Sequence, residues 1–203
     1  MDLQIVKENS EKKGFKVSVF SDAKEASDYL NKEINNTSVA FGGSMTLAEM
    51  GLFDTLKTHN EIWYHSDAEL IEKYGREEIF KRAMSTDVYI SSVNGMSSDG
   101  ALINIDGNGN RIASTAFWHK KVYYVVGKNK IEDTFEKAMW RARNIAAPKN
   151  AQRLSRKTPC AIKGDKCYNC SSPERICRGI LITEAPMSAQ ETEILLVNEN
   201  LGY

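Results

Sequence analysis

Cys160, Cys167, Cys170 and Cys177 stand within 18 residues of one another, and the chain contains no other cysteine. The spacing C-x6-C-x2-C-x6-C sets two thiols at chelating distance on one turn and brings two more from its flanks, which is the donor set of a metal site. A zinc ion and a cubane iron–sulfur cluster both take four cysteines, so the ligand count leaves the two open. A single C-x2-C pair departs from the paired spacing of zinc knuckles. Four unligated thiols on a loop are the plain alternative. His59, His65 and His119 have no Cys or His partner at chelating spacing and add nothing to this set.

Two polar loops could hold a ligand. In Phe41-Gly42-Gly43-Ser44-Met45-Thr46 the glycines would let backbone approach a bound group, and free N–H groups at a following helix start would attract a phosphate or carboxylate. Thr46 and Glu49 form a T-x-x-E capping box for a helix expected over Leu47 to Lys57. Glu49 is a candidate base, and the plain alternative is a tight turn whose Ser and Thr only cap. The second loop, Asn94 to Gly100 with Asn104 beyond it, leaves a strand end and is expected to face the first. Asp99 is a candidate general acid or base if burial raises its pKa, although an Asp before Gly is most often a turn residue. Asn110 and Arg111 follow the turn-rich Asp106-Gly107-Asn108-Gly109, and Arg111 could clamp a carboxylate or phosphate. There is no G-x-S-x-G elbow and no nucleotide-cofactor fingerprint, since Gly107-Asn108-Gly109 falls within an expected hairpin.

These loops need a scaffold. Lys16–Phe20, Ser38–Phe41, Glu61–His65 and Asp87–Val93 read as strands, separated by helical stretches from Ser21 and from Ala68 to Met84. Strands alternating with helices predict an α/β fold, a mostly parallel sheet covered by helices, with ligands gathered at the strands' carboxyl ends. Ala101–Ile105 and Arg111–Ala113 read as a β-hairpin around the Asp106–Asn110 turn. Lys121–Gly127 is a buried strand. Ile131 to Ala146 carries an apolar helical face expected to end at Pro148. Residues 149 to 166 read as an exposed, mobile connection, and Gly179–Thr183 and Glu193–Val197 as closing strands.

The 203 residues fit one domain, 1–203, with a Cys-rich segment at 158–178. Lys plus Arg and Asp plus Glu number 27 each, so no net field draws the chain to nucleic acid, and an anionic small molecule is the better partner. No run approaches the roughly 20 apolar residues of a membrane span. The mixed, charged start lacks a secretory pattern, so a cytoplasmic location is expected, where thiols stay reduced and bind metal more readily than they pair.

Gly42-Gly43-Ser44-Met45-Thr46-Leu47-Ala48-Glu49-Met50-Gly51 resembles the G-G-S-x-T-L-x-E-x-G signature of the LUD (lactate utilisation) domain family. Asn94 with Asp99-Gly100-Ala101-Leu102-Ile103-Asn104, then Gly109-Asn110-Arg111-Ile112-Ala113, Gly127–Ile131 and Ala146–Asn150, continue the likeness in order from about residue 10 to the C-terminus. The resemblance implies a fold similar to the glucosamine-6-phosphate deaminase, ribose-5-phosphate isomerase and CoA-transferase superfamily. It also implies a role in oxidising lactate to pyruvate, as an accessory subunit beside iron–sulfur and oxidoreductase subunits. The alternative is a stand-alone isomerase or transferase acting on a phosphosugar or CoA ester, with Glu49 or Asp99 as base. Two departures bear on the pocket: Gly95-Met96-Ser97 stands where the family often has Ala-Ile-Thr, and His119-Lys120 where it often has Gly-Pro. The cysteine segment is absent from many members of similar length, and the redox role that the resemblance implies ranks an iron–sulfur cluster slightly ahead of zinc there.

Overall fold

Two kinds of apolar run build two sheets. Val122 to Val126 and Ile194 to Val197 are buried at every position, as strands covered on both faces must be. Gly179 to Thr183 instead alternates, with Ile180 and Ile182 at 39% and 40% exposure, and forms a sheet edge. The computed structural model describes residues 1–203. Its elements run α1 (Leu3–Lys12), β1 (Lys16–Phe20), α2 (Ala23–Glu33), β2 (Ser38–Phe41), α3 (Met45–Glu49), α4 (Leu52–Lys57), β3 (Glu61–Trp63), α5 (Ala68–Ala83) and β4 (Val88–Ser92). They continue through β5 (Gly95–Ser97), β6 (Leu102–Asp106), α6 (Asn110–Ala116), β7 (Lys121–Gly127), a 3-10 turn (Lys128–Lys130), β8 (Ile131–Glu132) and α7 (Phe135–Arg141). A π-helical turn (Ala142–Ala146), α8 (Ala147–Arg153), α9 (Pro159–Lys163), β9 (Gly179–Thr183) and β10 (Glu191–Val197) complete the chain.

The first sheet has six parallel strands in the order β1-β10-β7-β4-β2-β3, which is the expected α/β architecture. Period-2 alternation along β7 divides the core between its two faces. Val122, Tyr124 and Val126 pack with Val6 of α1, Ile79 of α5 and Met96. Tyr123 and Val125 pack with Leu30 of α2, Leu47 of α3 and Leu56 of α4. The second sheet, β8-β5-β6-β9, lies beyond the first face. Its Ile103 and Ile105 pack on Ala138, Ala142 and Ala147. No helix is long and apolar enough to cross a membrane.

Four local expectations change. The helix expected over Leu47 to Lys57 is two helices, parted at Gly51, whose φ of 63° breaks the run. The hairpin partner of β6 is β5, joined to it through Asp99-Gly100, whereas Arg111–Ala113 lies in helix α6. The Asp106 carboxylate accepts the backbone N–H groups of Asn108, Gly109, Arg111 and Ile112, so a turn-like sequence starts a helix rather than a returning strand. Pro148 does not end the long helix either. The i→i+5 bond from Ala147 N–H to Ala142 O opens a π-turn just ahead of it, and the chain continues helical to Arg153. Finally, residues 149 to 166 are not an open connection, because α8 and α9 occupy much of that span.

Candidate functional site

β2 leads outward to β3 while β4 leads the other way toward β7, so the connections diverge between β2 and β4. A parallel sheet leaves a crevice at the carboxyl ends of such strands. The cleft found there is lined by Gly43, Ser44 and Met45 after β2, by Ser92, Val93 and Asn94 at the end of β4, and by Lys130 after β7. Arg111, Asn150 and Tyr203 close its sides. The two expected loops therefore do face one another, and Arg111 joins them.

Lys130 sits on the floor, 3% exposed. Its ammonium nitrogen donates to Thr46 Oγ1 at 2.8 Å, Ser92 Oγ at 3.0 Å and the Val93 carbonyl at 3.2 Å, and no carboxylate forms a salt bridge with it. Burial first, then the nearby Arg141 and Arg111 charges, brings its pKa down to about 7, against a small opposing pull from Glu49. An amine titrating near neutrality can take up a proton or attack a carbonyl, which a solvated lysine does poorly. Sequence reading passed over this residue. The available signal was its place just past a central parallel strand.

Arg111 enters from α6. Its Nη2 donates to Asn94 Oδ1 at 3.0 Å and to the Ile105 carbonyl at 2.5 Å, which leaves Nη1 without a protein partner at the cleft. A Cβ at Gly42 would stand 2.8 Å from Ser91 Oγ and 3.1 Å from Arg111 Cδ, so glycine there is what lets Arg111 come this close. Gly42→Ala is expected to keep the fold yet lower the affinity for an anion in the cleft about tenfold, read by calorimetric titration. Arg141, also unsignalled in the sequence, donates to the Asn129 carbonyl at 2.8 Å and the Asn94 carbonyl at 2.7 Å. It thereby pins the two loops that carry Asn94 and Lys130.

Other expected residues lie elsewhere. The capping box does not form: Ser44 is the N-cap without a side-chain bond, Thr46 donates to the Leu201 carbonyl, and Glu49 accepts the Gly202 N–H at 2.7 Å. Helix α3 is only five residues long, and the cleft draws its positive character from Lys130 and Arg111. Asp99 lies in the β5–β6 turn, bonded to Ser97 and ion-paired with Lys13 at 3.1 Å. Ser97 and then Lys13 hold its carboxyl below the usual range, the opposite of a general acid poised near neutrality, and it does not line the cleft. Gly100 is packed against Ser10, Asn110 opens α6, and Asn104 is fully buried with both amide atoms unpartnered. None of these three lines the cleft.

The four cysteines are free thiols and all line one separate cavity, walled also by Arg143, Ala147, Ala151, Arg175 and Ile176. No group of three or more His, Cys, Asp or Glu side chains is placed to hold a metal ion. The three histidines take no part in either site. His119 is buried against Tyr89 with Nδ1 on the Thr86 carbonyl, His59 bonds the Ile34 carbonyl, and His65 stacks on Phe80.

The sequence matches the model of the LUD domain over residues 3–197. Among solved structures, the fold is similar to the crystal structure of a DUF162 family protein from Deinococcus radiodurans. The TM-score is 0.54 and the identity 12%, covering 97% of this chain and 96% of that one, a likeness that carries the fold alone. No curated protein matched.

Proposed function

Since the chain belongs to the LUD domain family, we propose that it serves lactate utilisation by binding a small 2-hydroxy or 2-oxo carboxylate, lactate or pyruvate, in the cleft at the ends of β2, β4 and β7. The observation that carries this reading is the charge of the cleft. Of its lining residues Arg111 is cationic, Lys130 carries a charge when protonated, and none is acidic. The Arg111 guanidinium suits a carboxylate, and Lys130 reaches the oxygen on the adjacent carbon by giving up one of its three protein hydrogen bonds. The enclosed space, about 30 Å³, is room for roughly two waters.

Oxidation of lactate removes two electrons and two protons. In this reading Lys130, as free amine, accepts the hydroxyl proton, and the hydrogen on the neighbouring carbon leaves with its electron pair. The acceptor is an oxidised flavin-class group on a partner oxidoreductase subunit, which makes this chain the substrate-binding member of a lactate-oxidising assembly.

Calorimetric titration of the purified chain tests the idea. Lactate or pyruvate should bind, acetate more weakly, and Arg111→Ala should weaken lactate or pyruvate about 10- to 100-fold by removing a charged hydrogen-bond pair. Binding of ribose 5-phosphate or acetyl-CoA with no response to any 2-hydroxy or 2-oxo acid would overturn it in favour of a stand-alone enzyme.

A further inference from the structure

The geometry points to a cubane iron–sulfur cluster in the second cavity, with Cys160, Cys167, Cys170 and Cys177 each ligating one iron. The first argument is convergence. Cys160 comes from α9, Cys167 and Cys170 from the following turn, and Cys177 from the lead-in to β9, yet all four residues line the same cavity.

Spacing separates the two metals left open by ligand count. One zinc needs four sulfurs about 2.3 Å from a common centre, which sets them roughly 3.8 Å from one another. No three ligating side chains are placed to hold an ion in this way. A cubane binds each cysteine at a different corner, so its ligands surround a volume instead of converging on a point. Four cysteines lining one cavity, with no three placed to hold a single ion, fit the second arrangement.

The surroundings suit an electron-rich core. Arg143 and Arg175 line the cavity and no carboxylate does, so a net negative cluster meets two cations. Arg175 donates to the Cys170 and Cys177 carbonyls at 3.0 Å each, while its Nε is buried without a partner and remains a donor for a sulfur. Asn169, at φ 46°, turns its backbone N–H onto Cys167 Sγ at 3.4 Å. Thr158 Oγ1 lies 3.3 Å from Cys160 Sγ. Hydrogen bonds to sulfur of this kind tune cluster potentials. On assembly two ferrous ions, two ferric ions and four sulfides form the core, and each thiol loses its proton and forms one iron–sulfur bond to it.

Placement also links the two sites. Helix α8 presents Ala147, Pro148 and Ala151 to the cysteine cavity and Asn150 to the cleft, so about one helix diameter, roughly 10 Å, separates them. The cluster assignment itself stands without the carboxylate reading.

The test is made on the full chain purified without oxygen, then reconstituted anaerobically with equal amounts of ferrous and ferric iron and with sulfide. Expected are about four irons and four sulfides per chain, with broad visible absorption that dithionite bleaches and a loss of that absorption in Cys170→Ser. Circular dichroism and pyruvate titration of Cys170→Ser separate loss of the cluster from loss of the fold. A colourless protein holding one zinc, two irons per chain, or no metal after reconstitution would each overturn the cubane, whatever the cleft binds.

Discussion

Lys130→Met is expected to abolish a pH dependence of stability that the wild-type chain shows between about pH 7 and 10. The sign follows from proton counting. The folded-state pKa is depressed to about 7, against an ordinary lysine value of 10.5, so between those values the unfolded chain binds the extra proton and stability rises with pH. Below pH 7 both states are charged, and burial costs up to about 5 kcal/mol. Through the window that cost falls by about 1.4 kcal/mol per pH unit. Methionine fills similar volume and does not titrate. The three hydrogen bonds it forfeits to Thr46, Ser92 and Val93 shift the variant's stability by a constant amount. The difference between the two proteins' denaturant midpoints should therefore move steadily in favour of the wild type from pH 6 through 8 to 10. Parallel curves would mean that Lys130 is not held with a depressed pKa. The same substitution should weaken pyruvate about 100-fold or more at pH 7, since it removes a charged or proton-accepting group from the cleft floor.

The second large effect is expected at Gly95, the first residue of β5. A Cβ built there would lie 2.5 Å from the carbonyl oxygen of Ala138 and 3.2 Å from its carbon. The obstacle is helix backbone, not a side chain that can swing away. Gly95→Ala should destabilise the fold by about 3 kcal/mol through overpacking, seen as a lower urea midpoint with an unchanged slope. The consequence reaches the cleft, because Arg141 of α7 holds the Asn94 carbonyl. Even a folded Gly95→Ala should bind its ligand less tightly. A midpoint within error of wild type would show that α7 can retreat freely.

Much of this architecture was legible in the residues themselves. Asp87–Val93 and Lys121–Gly127 announce buried parallel strands because a strand covered on both faces must be apolar at nearly every position, and the helices between them carry their own period. Gly42-Gly43, Asn94 and Arg111 were readable as a ligand-facing set because glycine-rich turns and polar residues collect where parallel strands end. The α6 segment misled because D-G-N-G-N has turn chemistry, while the Asp106 bonds that start a helix there depend on which way its carboxylate points. Asp99 and Glu49 have the composition of catalytic groups but were drawn away, one to Lys13 and Ser97, the other to the Gly202 N–H.

By itself the sequence determined the alternation of strand and helix, the glycine-bearing turn, and the presence of four thiols close along the chain, all of which rest on local spacing and side-chain chemistry. Tertiary structure alone decided that Lys130 is the buried cation of the cleft and that the four cysteines share one cavity behind the helix that borders it. Burial, desolvation and the meeting of distant segments are properties of packing, and a lone Lys in Lys128-Asn129-Lys130 carries no mark of them until β4, β7 and α7 close around it.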